Sequence, residues 1–261
     1  MIKDIFKRLM FYVSVPKCVF CGEKLDINDK ALCKECLIEY EAHKEMNCPH
    51  CSHLYNECAC PNKYLTAHGV KQLFKVFKYK AGEAAAENAL IFSLKEENRR
   101  DVFELCTEEL GSAIKKHVSD FNNVIFTNIP RRKEAINRYG YDHAAVISKK
   151  IAEKFGAEYR SLLISHSGKS QKTMKKEERL SNVDFALKDE SISLSGKTVI
   201  LVDDIVTTGT SMGVAAMLLR SLGTRKVFGA SLAIAYRDDT LIFDTTDRFD
   251  KKARNKRTKK S

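Results

Sequence analysis

Thirteen consecutive residues, Val199-Ile200-Leu201-Val202-Asp203-Asp204-Ile205-Val206-Thr207-Thr208-Gly209-Thr210-Ser211, constrain what this chain can fold into more than any other stretch. Four aliphatic residues in a row suit a strand covered on both faces, and Val214, Ala215, Leu218 and Leu222 recur at helical spacing immediately afterwards. A loop joining such a strand to such a helix offers free backbone N–H groups and the positive end of the helix dipole, which favour an anion. Thr207, Thr208, Thr210 and Ser211 add hydroxyl donors without bulk, and Gly209 permits a close turn. Asp203 and Asp204 cannot bind phosphate, but carboxylates accept hydrogen bonds from vicinal hydroxyls, the other half of a ribose 5-phosphate. A strand end that merely caps a helix needs one such residue rather than six.

The cysteines define a second unit. Eight of nine fall between residues 18 and 60, as Cys18-x2-Cys21, Cys33-x2-Cys36, Cys48-x2-Cys51 and Cys58-x-Cys60. Two residues between thiolates let a knuckle aim both sulfurs at one ion, and two knuckles complete a tetrahedral zinc site. Eight ligands suffice for two structural zinc ions. The first set, Cys18, Cys21, Cys33 and Cys36, has Gly22 at its knuckle turn. The second, Cys48, Cys51, Cys58 and Cys60, has a short last pair, which leaves His50 or His53 as alternative ligands. Each block of four closes on itself, favouring sequential ribbons over an interleaved cross-brace. Three Cys-x-x-Cys pairs outside a thioredoxin-like context read as structural rather than redox-active. Cys106 instead falls on the helical stripe Val102, Leu105, Cys106, Leu110, Ala113, Ile114 and reads as core.

At 261 residues and 44% hydrophobic content the chain can bury one α/β core beside such a module. No apolar run reaches the roughly 20 residues that span a bilayer. The first fifteen residues are broken by Lys3, Asp4, Lys7 and Arg8 and show no small-residue cleavage site; they read as a short amphipathic helix docked on the protein. A reducing, cytoplasmic setting is therefore expected, and a disulfide framework is disfavoured. Residues 248 to 261 hold eight Lys or Arg against one Asp, +7 of the formal +11. Such a tail, spanning 241–261 in this reading, has little to bury and is expected to be disordered; it either grips nucleic-acid phosphates or simply keeps the chain soluble.

Between these ends the expected units are a double zinc ribbon over 16–62 and an α/β domain over 63–240. Val70 to Tyr79 begins the apolar periodicity, and helices are expected over 83–95, 101–118 and 142–155. Strands are expected at Val124 to Ile129, Leu162 to Ile164, Val199 to Val202 and Val227 to Ala235. This βαβ rhythm predicts a twisted, mostly parallel sheet with helices on both faces. A second anion loop, Pro130-Arg131-Arg132-Lys133, follows the Val124 strand; three adjacent cations beside the Asp203 strand suit a diphosphate.

The stretch Val199 to Ser211 resembles the phosphoribosyl pyrophosphate signature of type I phosphoribosyltransferases. That resemblance implies ribose hydroxyls on Asp203 and Asp204, the 5-phosphate on Thr207, Thr208, Gly209, Thr210 and Ser211, and magnesium bridging the pyrophosphate. In the purine-salvage branch a further Asp near the base stands where this chain has Thr207, so the loop lacks an obvious general base and the catalytic residue is unassigned. With the cysteine ribbon, Lys78-Tyr79 and Gln171-x2-Met174-x4-Arg179-x2-Asn182-x2-Phe185, the chain over residues 15 to 236 is similar to the ComF family of bacterial competence proteins. In related transferases the segment holding Gln171 and Arg179 is a mobile lid, and the polar run from His166 to Arg179 fits one. One departure stands out: the family usually shows Arg-Gly-Phe-Asn-Gln where this chain has Tyr139-Gly140-Tyr141-Asp142-His143, with Arg138 adjacent and Asp142 placed to cap a helix.

The resemblance implies a protein of DNA uptake or processing that binds phosphoribosyl pyrophosphate and single-stranded DNA, with DNA-uptake or helicase proteins as partners. The residues leave two other functions open: an active pentosyl transferase with an unknown acceptor, and a ligand-sensing regulator that keeps the pocket without the chemistry.

Overall fold

A computed structural model describes residues 15–48, 50–79, 82–165 and 185–235. Residues 1–14 of the helix expected over 1–15, the lid residues Gln171 and Arg179 and the basic tail lie outside the described residues. The cysteine module contains α1 (Lys34–Lys44) and a 3-10 turn at Tyr55–Glu57, and α2 (Lys63–Ala67) leads out of it. There follow β1 (Val70–Tyr79), α3 (Ala86–Glu96), α4 (Arg100–Lys115), β2 (Val124–Asn128), α5 (Lys133–Tyr139) and α6 (His143–Phe155). The chain continues through β3 (Glu158–Tyr159), β4 (Leu163–Ser165), β5 (Phe185–Leu187), β6 (Thr198–Val206), α7 (Thr210–Ser221) and β7 (Lys226–Ala235).

Five strands form one parallel sheet in the order β1-β7-β6-β2-β3. β6 lies at its centre, and both its faces are buried. Ile200 and Val202 join Phe74, Phe126 and the buried faces of α4 and α6, while Val199 and Leu201 join Met212, Ala215 and Leu219 of α7. A strand covered twice has no solvent side to mark with polar residues, which explains the unbroken aliphatic run. Cys106 is buried on α4, as its stripe predicts.

Leu162 to Ile164 does not become a further strand of this sheet. After α6 the sheet gains only the two residues of β3, and Arg160 donates its N–H to the Phe126 carbonyl at 2.9 Å as the chain leaves. β4 then pairs antiparallel with β5 in a separate two-stranded sheet. Leu162 and Leu163 belong to the buried cluster beneath α7, with Leu194 and Leu222. A three-residue apolar run reports burial and cannot say which sheet provides it.

The cysteine module packs against the domain rather than hanging from it. Leu73 of β1 donates its N–H to the Ala59 carbonyl at 2.9 Å, so the module covers an edge that would otherwise present unpaired backbone groups. Leu25, Leu32 and Tyr40 join the same buried cluster as α3 and α4. Ion pairs from Lys30 to Glu108 at 2.7 Å and from Lys44 to Glu109 at 2.9 Å tie it to α4.

Candidate functional site

The site is built where β6 outlasts its neighbour β2. The β2 ladder ends with Asn128 opposite Val202, whereas β6 continues beside β7 through Asp203 opposite Ser231 to Val206 opposite Ile234. The two carboxylates therefore sit within the strand instead of beyond it, and strand alternation sends them to opposite faces. Asp203 lines a recess together with Ile205, Thr207, Thr208, Thr210 and Ser211. Asp204 is buried and ion-paired to Arg131, with Lys95 of α3 at 3.3 Å. The predicted ribose and diphosphate groups thus meet directly: Arg131, from the loop after β2, lies on Asp204. Arg132 and Lys133 are exposed at the start of α5.

The electrostatics of the pair diverge accordingly. Burial and the neighbouring Asp204 charge push the Asp203 carboxyl well above its ordinary range. Burial acts on Asp204 too, but Lys95 and Arg131 outweigh it and hold that group below its ordinary value.

The hydroxyl loop turns into α7 through Gly209, which adopts a left-handed φ of 82° at the N-cap. Thr208 and Thr210 share a hydroxyl–hydroxyl bond at 2.8 Å, and the Thr210 N–H donates to the Thr208 hydroxyl at 3.3 Å. The back of this loop is made by α2, from the far side of the sequence. Asn62 caps α2 by accepting from the Leu65 N–H at 2.8 Å, and its amide nitrogen donates to the Thr208 carbonyl at 3.2 Å. A side chain at Gly209 would lie 2.9 Å from Leu65 Cγ, and one at Gly213 only 2.7 Å from Tyr64 Cε1. Gly209 is thus required by its φ and by this packing as well as by any ligand.

Asp142 caps α6, as expected, by accepting from the Ala145 N–H at 3.1 Å. It also shapes the basic loop. Its second oxygen accepts from the Arg131 N–H and from the Asn128 amide, each at 3.1 Å, and Asn128 in turn accepts from the Tyr159 hydroxyl at 2.9 Å. Burial raises the Asp142 carboxyl despite these donors. Next to it His143 is fully buried against the Phe103 ring, with Nε2 3.3 Å from Asn98 Oδ1.

The eight cysteines converge in the two sequential sets, Cys18, Cys21, Cys33, Cys36 and Cys48, Cys51, Cys58, Cys60, with all donor atoms of a set within 4.8 Å of one another. Four sulfurs about 2.3 Å from one zinc ion would stand about 3.8 Å apart, and Cys21 and Cys33 Sγ are 3.7 Å apart. The donor chemistry and spacing therefore fit zinc, and either group could hold an ion. Neither His50 nor His53 belongs to a set; His53 Nδ1 instead lies 3.0 Å from the Cys51 carbonyl. The two knuckles repeat one geometry: Gly22 N–H bonds the Cys18 carbonyl at 3.0 Å with φ 80°, and Ser52 N–H bonds the Cys48 carbonyl at 2.9 Å with φ 59°.

Lys95, Asn62, Asn128 and Tyr159 carry parts of this site that sequence reading missed. Only Asn62 left a signal, as a cap residue before a short helix. No helix among the described residues is long and apolar enough to cross a membrane.

Residues 141–248 match the phosphoribosyl transferase domain model. The competence protein ComFC of Streptococcus pneumoniae is 23% identical over 83% of this chain and 99% of its own length. The chain is a ComFC homologue. The match runs over nearly the whole of that relative. A ribose-phosphate pyrophosphokinase of Pyrococcus abyssi is 37% identical over 31% of this chain, and that of Pyrococcus furiosus 38% over 32%; the chain spans about a quarter of each, 24% and 25%. The purine phosphoribosyltransferase structure from Pyrococcus horikoshii overlaps 52% of this chain and 74% of its own, with 14% identity and a TM-score of 0.36.

Proposed function

We propose that this ComFC homologue binds phosphoribosyl pyrophosphate with magnesium in the recess at the end of β6, binds single-stranded DNA, and acts in the cytoplasm in DNA uptake or processing. The observation that carries the reading is the recess itself, in which a carboxylate on a strand, Asp203, faces the hydroxyl loop Thr207 to Ser211. In this reading Asp203 accepts from a ribose hydroxyl and the loop, with the first turn of α7, donates to the 5-phosphate. Arg131 would exchange Asp204 for the diphosphate, flanked by Arg132 and Lys133, and leave Asp204 free for the second hydroxyl. Magnesium would supply charge neutralisation of the diphosphate. The cysteine sets would hold two structural zinc ions, since four thiolates leave no open position for a substrate. Thr207 offers no general base, which favours binding or sensing over salvage of a free base.

Calorimetric titration with phosphoribosyl pyrophosphate and magnesium tests the reading. Asp203→Asn is the clean variant, because removing Asp204 would strand Arg131 and Lys95. A hydrogen bond to a charged group contributes roughly 1.5–3 kcal/mol, so affinity should fall about tenfold or more. Equal affinities in two equally folded proteins would dismiss the site. Following pyrophosphate release in the presence of bases or single-stranded DNA separates a transferase from a binder.

A further inference from the structure

β1 reads as an apolar strand with one anomaly at its middle. Lys75 is 0% exposed, flanked by buried Phe74 and Val76. A buried ammonium needs partners of opposite charge or strong acceptors. Among the described residues no carboxylate lies within ion-pair distance of it. Its Nζ donates instead to Cys58 Sγ at 2.9 Å, to the Cys58 carbonyl at 3.3 Å and to the Cys60 carbonyl at 3.2 Å, with the Tyr55 ring centroid 5.5 Å away. The same sulfur receives the Cys60 N–H at 3.3 Å. Cys58 is thus the ligand of the second cysteine set that takes two donors, one of them from the sheet.

Four thiolates around a divalent zinc ion leave a net charge of −2, and here that charge would face a strand interior. We propose that Lys75 is the positioning residue of the second metal site: a cation on the central sheet that orients Cys58 and offsets the thiolate charge, so that the metal affinity of this site is set by the phosphoribosyl domain and not by the ribbon alone. The proposal rests on the zinc reading above. Among the described residues the first set has no counterpart. Its sulfurs meet one another, and the nearby cations Lys30 and Lys34 are spent on Glu108 and Asp26.

The test is a cobalt titration of the full chain, read by thiolate-to-cobalt charge-transfer absorption, with cysteine alkylation and mass spectrometry to assign the sites. The wild type should take two equivalents. Partners that orient a metal ligand typically contribute 10–100-fold in affinity, so Lys75→Met should weaken one equivalent by that factor. Cys48, Cys51, Cys58 and Cys60 should become alkylated while the first set stays protected. A side chain that merely fills space would shift the melting temperature and leave this site-selective pattern unmoved. A folded Lys75→Met protein that takes both equivalents with wild-type affinity overturns the proposal and leaves the zinc reading intact; a folded wild type that takes no metal overturns the zinc reading itself. Should Lys75→Met not fold, the wild type carries the test. Emptying only the second site with a chelator should make Lys75 acetylatable, and a Lys75 as protected without that metal as with it overturns the proposal.

Discussion

Alternation along β6 aims Asp203 at the recess and Asp204 at α3, and the neighbours on each side then decide how each residue ionises. His143, which follows the cap residue Asp142, obeys the same logic with the opposite charge. Burial first, and then the Arg131 and Lys95 cations against a counter-pull from Asp204, lower its imidazole from 6.5 to about 4. The folded state therefore binds this proton less readily than the unfolded chain. The stability that follows is complete above about pH 6.5 and is lost as pH falls toward about 4, below which the term is constant. At about 1.4 kcal/mol per unit the full term, from 6.5 down past about 4, amounts to roughly 3–4 kcal/mol. His143→Gln keeps a partner for Asn98 without the titration. Urea unfolding at pH 7 and pH 4 should show the wild type losing roughly 2–3 kcal/mol more than the variant. Any acid sensitivity of the cysteine sets is common to both proteins and cancels, so equal losses would mean that the imidazole is charged in the fold. Asp142 was legible in the sequence as a helix cap, whereas Asp203 and Asp204, expected beyond a strand ending at Val202, lie within β6. The split of the acid pair was not legible, since it depends on Lys95 and Arg131 arriving from other elements.

At the scale of elements, the hydroxyl loop is held by α2 as much as by its own chemistry. Asn62 and Thr208 lie 146 residues apart and meet at 3.2 Å, a pairing that no local pattern announces. Read alone, Gly209 suggests a close turn around a ligand; in the fold Leu65 also packs against it, and Gly213 is the space into which Tyr64 and His68 pack. Gly213→Ala would place a methyl 2.7 Å from the Tyr64 ring and 3.2 Å from His68, driving α2 away from the start of α7. Overpacking of this kind costs roughly 1–3 kcal/mol, more than the helix propensity gained by alanine. Tyr64→Ala in the same chain removes the obstruction, so the two changes should be strongly non-additive, with the double variant melting well above the sum of the single losses. Additive losses in thermal melts would show that the two helices do not bear on each other. Helix and strand periodicity did place α4, α6, β2 and β6 within a few residues, because each is an extended apolar pattern. It also found the strand at Leu162 to Ile164 within a residue, but three residues were too few to say which sheet that strand joins.

Across the whole molecule charge is distributed unevenly, and this is where the proposed nucleic-acid binding can be separated from the proposed phosphoribosyl binding. Of the formal +11, residues 248 to 261 contribute +7, so the rest of the chain is close to balanced for its size. The sheet, the recess and the cysteine sets can therefore be left untouched while most of the basicity is removed. A chain ended at Asp247 keeps Asp203, the hydroxyl loop, Arg131 and Lys75, and its calorimetric response to phosphoribosyl pyrophosphate should match that of the full chain. Its affinity for single-stranded DNA should not. Each phosphate neutralised contributes about −0.7 to the slope of log affinity against log salt concentration. If the tail neutralises several phosphates, truncation must weaken binding at low salt and flatten the slope together, by about 0.7 for every phosphate the shortened chain leaves unpaired. Fluorescence anisotropy of a labelled oligonucleotide across a salt series measures both quantities at once. Unchanged affinity and slope would make the tail a solubilising segment and move any DNA binding to the folded surface, whereas a fall in affinity with no change in slope would indicate that the tail acts through the fold instead of through phosphates.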